Sequence, residues 1–251
     1  MLTALHLATI LGYGLHLVWQ LWRHSREYNL AWLLLACLAL HLATLAFPLA
    51  RGEFGFFSSL SLASWVCVAL VLLWKRLAFV LVWLAPFALI SSALHARVYN
   101  SYQLTSSNDL ALIVHVATAI PALALALLCT LTLAYHRVRA SQLKHPGGQQ
   151  WAFVPALETV ERLARQLLNA ALLMLGLGLV TGVVFVEDFF AQHLAHKTFF
   201  SSLAWLVLLF ATVSRMRGKL GWDRLFWFLL AASLLLLLGY FGSRFALEFL
   251  L

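Results

Sequence analysis

The chain has 251 residues, 63% of them hydrophobic and 10% charged, with a formal net charge of +8. A soluble domain carries roughly 25% charged residues, so too few are present to cover a water-facing surface. The apolar residues come in continuous runs rather than alternating ones, which excludes a transmembrane β-barrel. No nucleic-acid motif is present, so the positive charge points to the lipid bilayer and to membrane topology instead.

The runs predict an all-α integral membrane protein with about eight transmembrane helices in one bundle, each near the roughly 20 residues that cross a bilayer. The expected spans are 2–21, 29–50, 58–74, 77–94, 110–135, 167–190, 199–214 and 225–248. The first opens on Met1-Leu2-Thr3-Ala4 with no basic residue ahead of it, and Arg23 and Arg26 follow. It therefore reads as a retained span rather than a cleaved signal. Only Lys75 and Arg76 separate the third span from the fourth.

Residues 136–166 read as a cytoplasmic loop. Pro146-Gly147-Gly148 gives it a turn, and Leu157, Val160, Leu163 and Ala164 then fall at helical spacing opposite charged residues. That pattern fits either a short interfacial helix or an inward extension of the sixth span. Gly176, Gly178 and Gly182 in the sixth span, and Tyr240-Phe241-Gly242-Ser243 in the eighth, predict close helix contacts through small residues.

Charge bias orients the bundle. Thirteen of the 17 Lys and Arg fall in the odd-numbered loops. Those loops are expected to be cytoplasmic, with both termini extracytoplasmic. Cys37, Cys67 and Cys129 all lie within spans, without a CxxC or CxxCH motif. Neither thiol-redox chemistry nor covalent attachment of c-type haem to this chain is expected. No GxSxG turn, Walker loop or HExxH is present, so the chain reads as a binding protein rather than a hydrolase or transferase.

The histidines carry the functional signal. An ionisable ring inside an apolar span is costly and marks a site by default. His115 stands about two turns inside the fifth span, six residues before Pro121; His41 lies in the second span, and His6 and His16 in the first. His95 and the pair His193 and His196 are expected at the outer surface, and His24, His136 and His145 as solvated loop residues. The concentration of imidazoles in the outer half suits a haem site, because two neutral rings can ligate iron axially. A zinc site is disfavoured, since no carboxylate or cysteine supplies the remaining ligands at a usual spacing.

These residues resemble a known family. His115-Val116 opening the fifth span, Leu157-Glu158-Thr159-Val160-Glu161-Arg162 before the sixth and Gly182-x-x-Phe185 within it are the first pieces. His196-Lys197-Thr198, Ala204-Trp205, Gly221-Trp222 and Tyr240-Phe241-Gly242-Ser243 follow in order. Together the chain resembles the CcsA-like cytochrome c assembly family, in its YpjD/HemX-type branch. The resemblance implies non-covalent haem b, ligated by His115 at an outer position, with His41 as the candidate span ligand to the iron; His6 in the first span is a further candidate from its position alone.

Two departures follow from the same comparison. The stretch Glu187 to Lys197 contains no tryptophan where haem attachment would need a tryptophan-rich loop, and Gly242-Ser243-Arg244 stands where a second flanking histidine is expected. His193 or His196 is the available substitute. The resemblance thus implies a bacterial cytoplasmic-membrane protein that binds or relays haem without attaching it, alongside another membrane protein of cytochrome maturation. The competing expectation is a regulatory or scaffolding subunit that binds a partner membrane protein and no haem.

Overall fold

Long runs rich in Leu and Ala favour helix, and helices dominate the computed structural model. It describes residues 2–22, 31–50, 56–97, 110–144, 155–185, 192–242 and 245. Eight α-helices lie among them: α1 Leu2–Trp22, α2 Ala31–Ala50, α3 Phe56–Leu73, α4 Leu81–Arg97, α5 Leu110–Lys144, α6 Leu157–Phe185, α7 Gln192–Met216 and α8 Trp222–Leu237. No strand occurs among the described residues. Among the described residues, six helical stretches are long and apolar enough to cross a membrane, and Thr3–Trp19 and Trp32–Ala46 are shorter apolar helices.

One boundary differs from expectation, and another decides between two. α5 has 35 residues, about 52 Å, and runs through 136–144 instead of ending in a loop. Residues 136–144 are rich in helix-forming Arg, Ala, Gln, Leu and Lys, and proline first appears at Pro146. α6 starts at Leu157 and continues unbroken to Phe185. Leu157 to Arg165 are therefore its opening turns, the inward extension that the sequence left open beside an interfacial helix. Between α3 and α4, Lys75–Val80 form a 3₁₀ turn that leads directly into α4.

The chain divides into two compact units, Met1–Asn108 and Asp109–Leu251. In the first, α1 packs on α2 and α4, and α3 packs on α4 and α2. The buried face of α1 is polar: His6, Thr9, Tyr13 and His16 recur at helical spacing and are all buried. Leu7, Leu11, Leu15 and Val18 on the same helix are more than half exposed. Apolar residues outside and polar residues inside suit a surround of lipid, where internal hydrogen bonds hold helices together.

In the second unit, α5 is central, with α6 along its length, α8 beside it and α7 against α8 and α6. Ala119, Ala122, Ala124 and Ala126 on α5, with Ala164 and Ala171 on α6, are buried. Small side chains at such a contact let the helix backbones approach closely. Thr130 Oγ1 lies 2.9 Å from Ser233 Oγ and ties α5 to α8. α8 ends in a π turn, Leu238–Gly242, that passes close to α7. A Cβ on Gly239 would stand 3.1 Å from Phe200 Cβ, so glycine is what permits that crossing.

Candidate functional site: two buried histidine clusters

Buried polar groups need partners, and in the first unit several of those partners are other side chains. Tyr13 OH lies 3.2 Å from His41 Nδ1, and His41 Nε2 lies 2.7 Å from Ser61 Oγ. Helices α1, α2 and α3 are joined through this one imidazole, which is fully buried. Ser64 Oγ donates to the Ser61 carbonyl and lies 2.7 Å from Ser91 Oγ on α4, which extends the set to the fourth helix.

His6 Nε2 and His95 Nδ1 are 3.5 Å apart, their rings edge to face. His95 was expected at the outer surface; it is instead 2% exposed inside this cluster. The final turns of α4 carry it inward one turn beyond Ser91 and Ser92. His95 Nε2, Ser92 Oγ and both ring nitrogens of His16 are buried with no hydrogen-bond partner among the described residues. His95 is the residue that sequence reasoning missed. Only its spacing from Ser91 and Ser92 on a helical face marked it as inward-facing.

In the second unit His115 is half-buried, and its Nδ1 lies 3.1 Å from the carbonyl oxygen of Gly178 on α6. A carbonyl can only accept, so Nδ1 carries the proton and Nε2 keeps the lone pair. Thr181 Oγ1 stands 3.5 Å from the same Nδ1 and donates to the same Gly178 carbonyl. Such a hydrogen bond to the second nitrogen is the usual way a metal-ligating histidine is oriented.

His115 opens on a cleft of about 600 Å³, counted to its mouth, walled by Gly178 and Gly182 of α6, Lys197 and Ser201 of α7 and Tyr240 of the π turn. The π turn thus sets Tyr240 into the cleft wall. His196, one residue before Lys197, is half-buried, and its Nε2 is buried without a hydrogen-bond partner among the described residues. His193 lies on α7, and its side chain is outside the described residues, as are His24, His145 and the segment 186–191.

His115 and His196 share the second unit, whereas His41 and His6 belong to the first. His136 differs from the solvated loop residue expected from the sequence. The helical continuation of α5 buries it, with Nε2 3.2 Å from Glu161 Oε1 and its ring against Trp222. No group of three or more His, Cys, Asp or Glu able to hold a metal ion occurs among the described residues.

Residues 28–251, nearly the whole chain, match the family profile described as cytochrome C assembly protein. The chain belongs to this family. It is similar to the inner membrane protein YpjD of Escherichia coli K12, at 27% identity over 161 residues, which is 63% of this chain and 60% of that protein. The YpjD proteins of the O6:H1 and O157:H7 strains match to the same extent. The chain thus matches less than two thirds of the length of these relatives. No solved structure matches it. Family membership and the apolar helices together make the chain a multi-pass membrane protein related to cytochrome c assembly.

Proposed function

We propose that this protein binds and hands on haem b in the cytoplasmic (inner) membrane during cytochrome c assembly, without performing the attachment step. The chain is a multi-pass membrane protein, and its Escherichia coli relatives are inner membrane proteins by name. The charge bias of its loops supports cytoplasmic odd-numbered loops and extracytoplasmic termini.

One observation carries the reading: the Gly178 carbonyl holds His115 Nδ1–H, leaving the basic Nε2 of a span histidine beside a cleft. The donor set suits haem. A neutral imidazole is the axial ligand, Gly178 and Gly182 put no side chain on the α6 wall, and Lys197 supplies a cation for a propionate. His196, with an orphaned Nε2 in the same unit, is the second ligand of choice, and His193 on the same helix is the alternate. Bound haem would supply an iron centre whose ligation and redox state can be read optically.

The histidines of the first unit form a second position. His41 already makes two hydrogen bonds, so it can ligate iron only by releasing Ser61 or Tyr13. His95 Nε2 is already unengaged, and His6 lies beside it.

The test is the reduced-minus-oxidised absorption spectrum of protein purified in mild detergent, with a pyridine haemochrome assay. Sharp α and β bands with haem b in stoichiometric amount are expected, and His115→Ala is expected to lose the low-spin signal of the second-unit position. A colourless protein that also refuses added haemin would overturn the proposal and favour a subunit that binds only a partner protein.

A further inference from the structure

A second cavity lies at the opposite end of the second unit from His115, where α5 ends, α6 begins, α7 ends and α8 begins. Nine Lys and Arg stand there against three acids among the described residues. Each acid is already paired with another base: Glu158 with Arg162, Glu161 with His136, and Asp223 with Arg137. Arg165 and Arg215 have no ion pair among the described residues, and both line this cavity with Asn169 and Thr212. Arg139 Nη1 is also buried without an acceptor at this end of α5. Basic side chains therefore outnumber the acids available to them at this end among the described residues.

The two guanidinium groups are held in place by an aromatic ring. Arg215 lies 3.9 Å over the Trp222 ring and donates from Nη1 to the Leu220 carbonyl at 2.8 Å, and Arg165 lies 5.6 Å from the same ring. Stacking on tryptophan fixes a planar donor fork without neutralising it. The ordering cost of an anion contact is thereby partly met before the anion arrives.

The walls also carry apolar surface. Leu168 lies inside, and Met216, 82% exposed, stands at the mouth. Charged forks above an apolar wall, at the point where spans leave the bilayer, match an amphiphile with an anionic head. A small hydrophilic anion would have no use for that wall.

We propose that this cavity, of about 640 Å³ counted to its open mouth, is a binding site for the phosphate headgroup of an anionic phospholipid. Arg165 and Arg215 grip the phosphate oxygens, Asn169 reaches the glycerol or headgroup hydroxyls, and an acyl chain follows Leu168 and Met216. Basic pockets between transmembrane helices on the cytoplasmic side are the general setting for such recognition. Trp222 belongs to the interfacial tryptophans that mark this depth. The site is independent of haem binding and pins the α6–α7–α8 junction to one leaflet.

The experiment uses the full-length protein, delipidated in mild detergent. Its melting temperature is titrated with phosphatidylglycerol, phosphatidylcholine or inorganic phosphate, on wild type, Arg165→Ala and Arg162→Ala. Phosphatidylglycerol should raise the melting temperature saturably, with no matching effect of phosphatidylcholine. Arg165→Ala should weaken the apparent affinity about tenfold, the size of one charge-assisted hydrogen bond.

Arg162 lies on the same helix, paired with Glu158 outside the cavity. Its alanine variant should titrate like wild type. Equal weakening in both variants would reduce the effect to diffuse surface charge and overturn the site. Equal stabilisation by phosphatidylcholine would overturn the headgroup selectivity, and saturation by inorganic phosphate alone would replace the lipid with a free anion. Arg165 is exposed and makes no hydrogen bond among the described residues, so the variant is expected to fold.

Discussion

Tyr13 and Ser61, on different helices, hold the two nitrogens of one buried imidazole, His41, from opposite sides. A histidine engaged at both nitrogens is a fixed structural link, and its neighbours decide whether it becomes anything else. His115 has the complementary arrangement: one nitrogen held, the other beside a cleft. The two rings are chemically alike and differ in which of their nitrogens are held.

Removing the Ser61 hydroxyl should test that distinction. Ser61→Ala leaves His41 Nε2 buried without a partner, at a cost of about 1–3 kcal/mol. Ser233→Ala breaks only the contact with Thr130, which keeps its bond to the Ala126 carbonyl, and should cost about 0.6 kcal/mol, the typical interhelical value. Thermal unfolding in detergent should rank Ser61→Ala as the more harmful. If it carries haem, the Ser61→Ala protein should also show a shifted spectrum for the first-unit position and an unchanged one for His115.

The α1–α2 crossing should depend on the absence of a Cβ at Gly12, because one built there would land on Cys37 Sγ. Gly12→Ala is expected to destabilise by about 1–3 kcal/mol, the usual cost of overpacking. Gly12→Ala with Cys37→Ala should recover most of it, because the obstructing sulfur is gone. No recovery in the double variant would place the cost elsewhere than in this contact.

Gly178 and Gly239 line the same cleft and should respond oppositely to alanine. A Cβ on Gly178 meets Thr118 Oγ1 at 3.6 Å and Ala119 Cα at 3.7 Å, ordinary contacts, and leaves the carbonyl that binds His115 in place. Gly178→Ala should be neutral or stabilising by up to about 1 kcal/mol, because alanine favours helix. Gly239→Ala pushes against Phe200 and should destabilise and disturb the cleft. Melting curves and the haem spectrum together read both effects.

The His136–Glu161 pair joins α5 to α6 at the basic end, largely shielded from water. Glu161→Gln keeps the shape and loses the charge, while His136→Ala also removes the ring stacked near Trp222. His136→Ala should be the costlier, by about 1–3 kcal/mol in total. Melting temperatures of the two variants measured side by side decide it; equal values would mean the ring contact contributes nothing.

The sequence by itself determined the class of this protein. Sixty-three per cent hydrophobic residues in runs of bilayer length leave no other arrangement for the backbone than helices, because lipid offers no hydrogen-bond partners. It also marked His115, His41 and His6, since a polar ring in an apolar run stands out in one dimension. Family kinship was legible too, in ordered fragments from His115 to Ser243.

What only the tertiary structure decided was which polar groups meet. His95 looked like a terminal residue of its span, and His136 like a loop residue, because depth along one helix says nothing of what a neighbouring helix covers. The inward turn of α4 buries the first, and the unbroken continuation of α5 buries the second. The same reason hid the Arg165–Arg215 cavity. Its two cations are fifty residues apart, and they converge only because α6 begins where α7 ends.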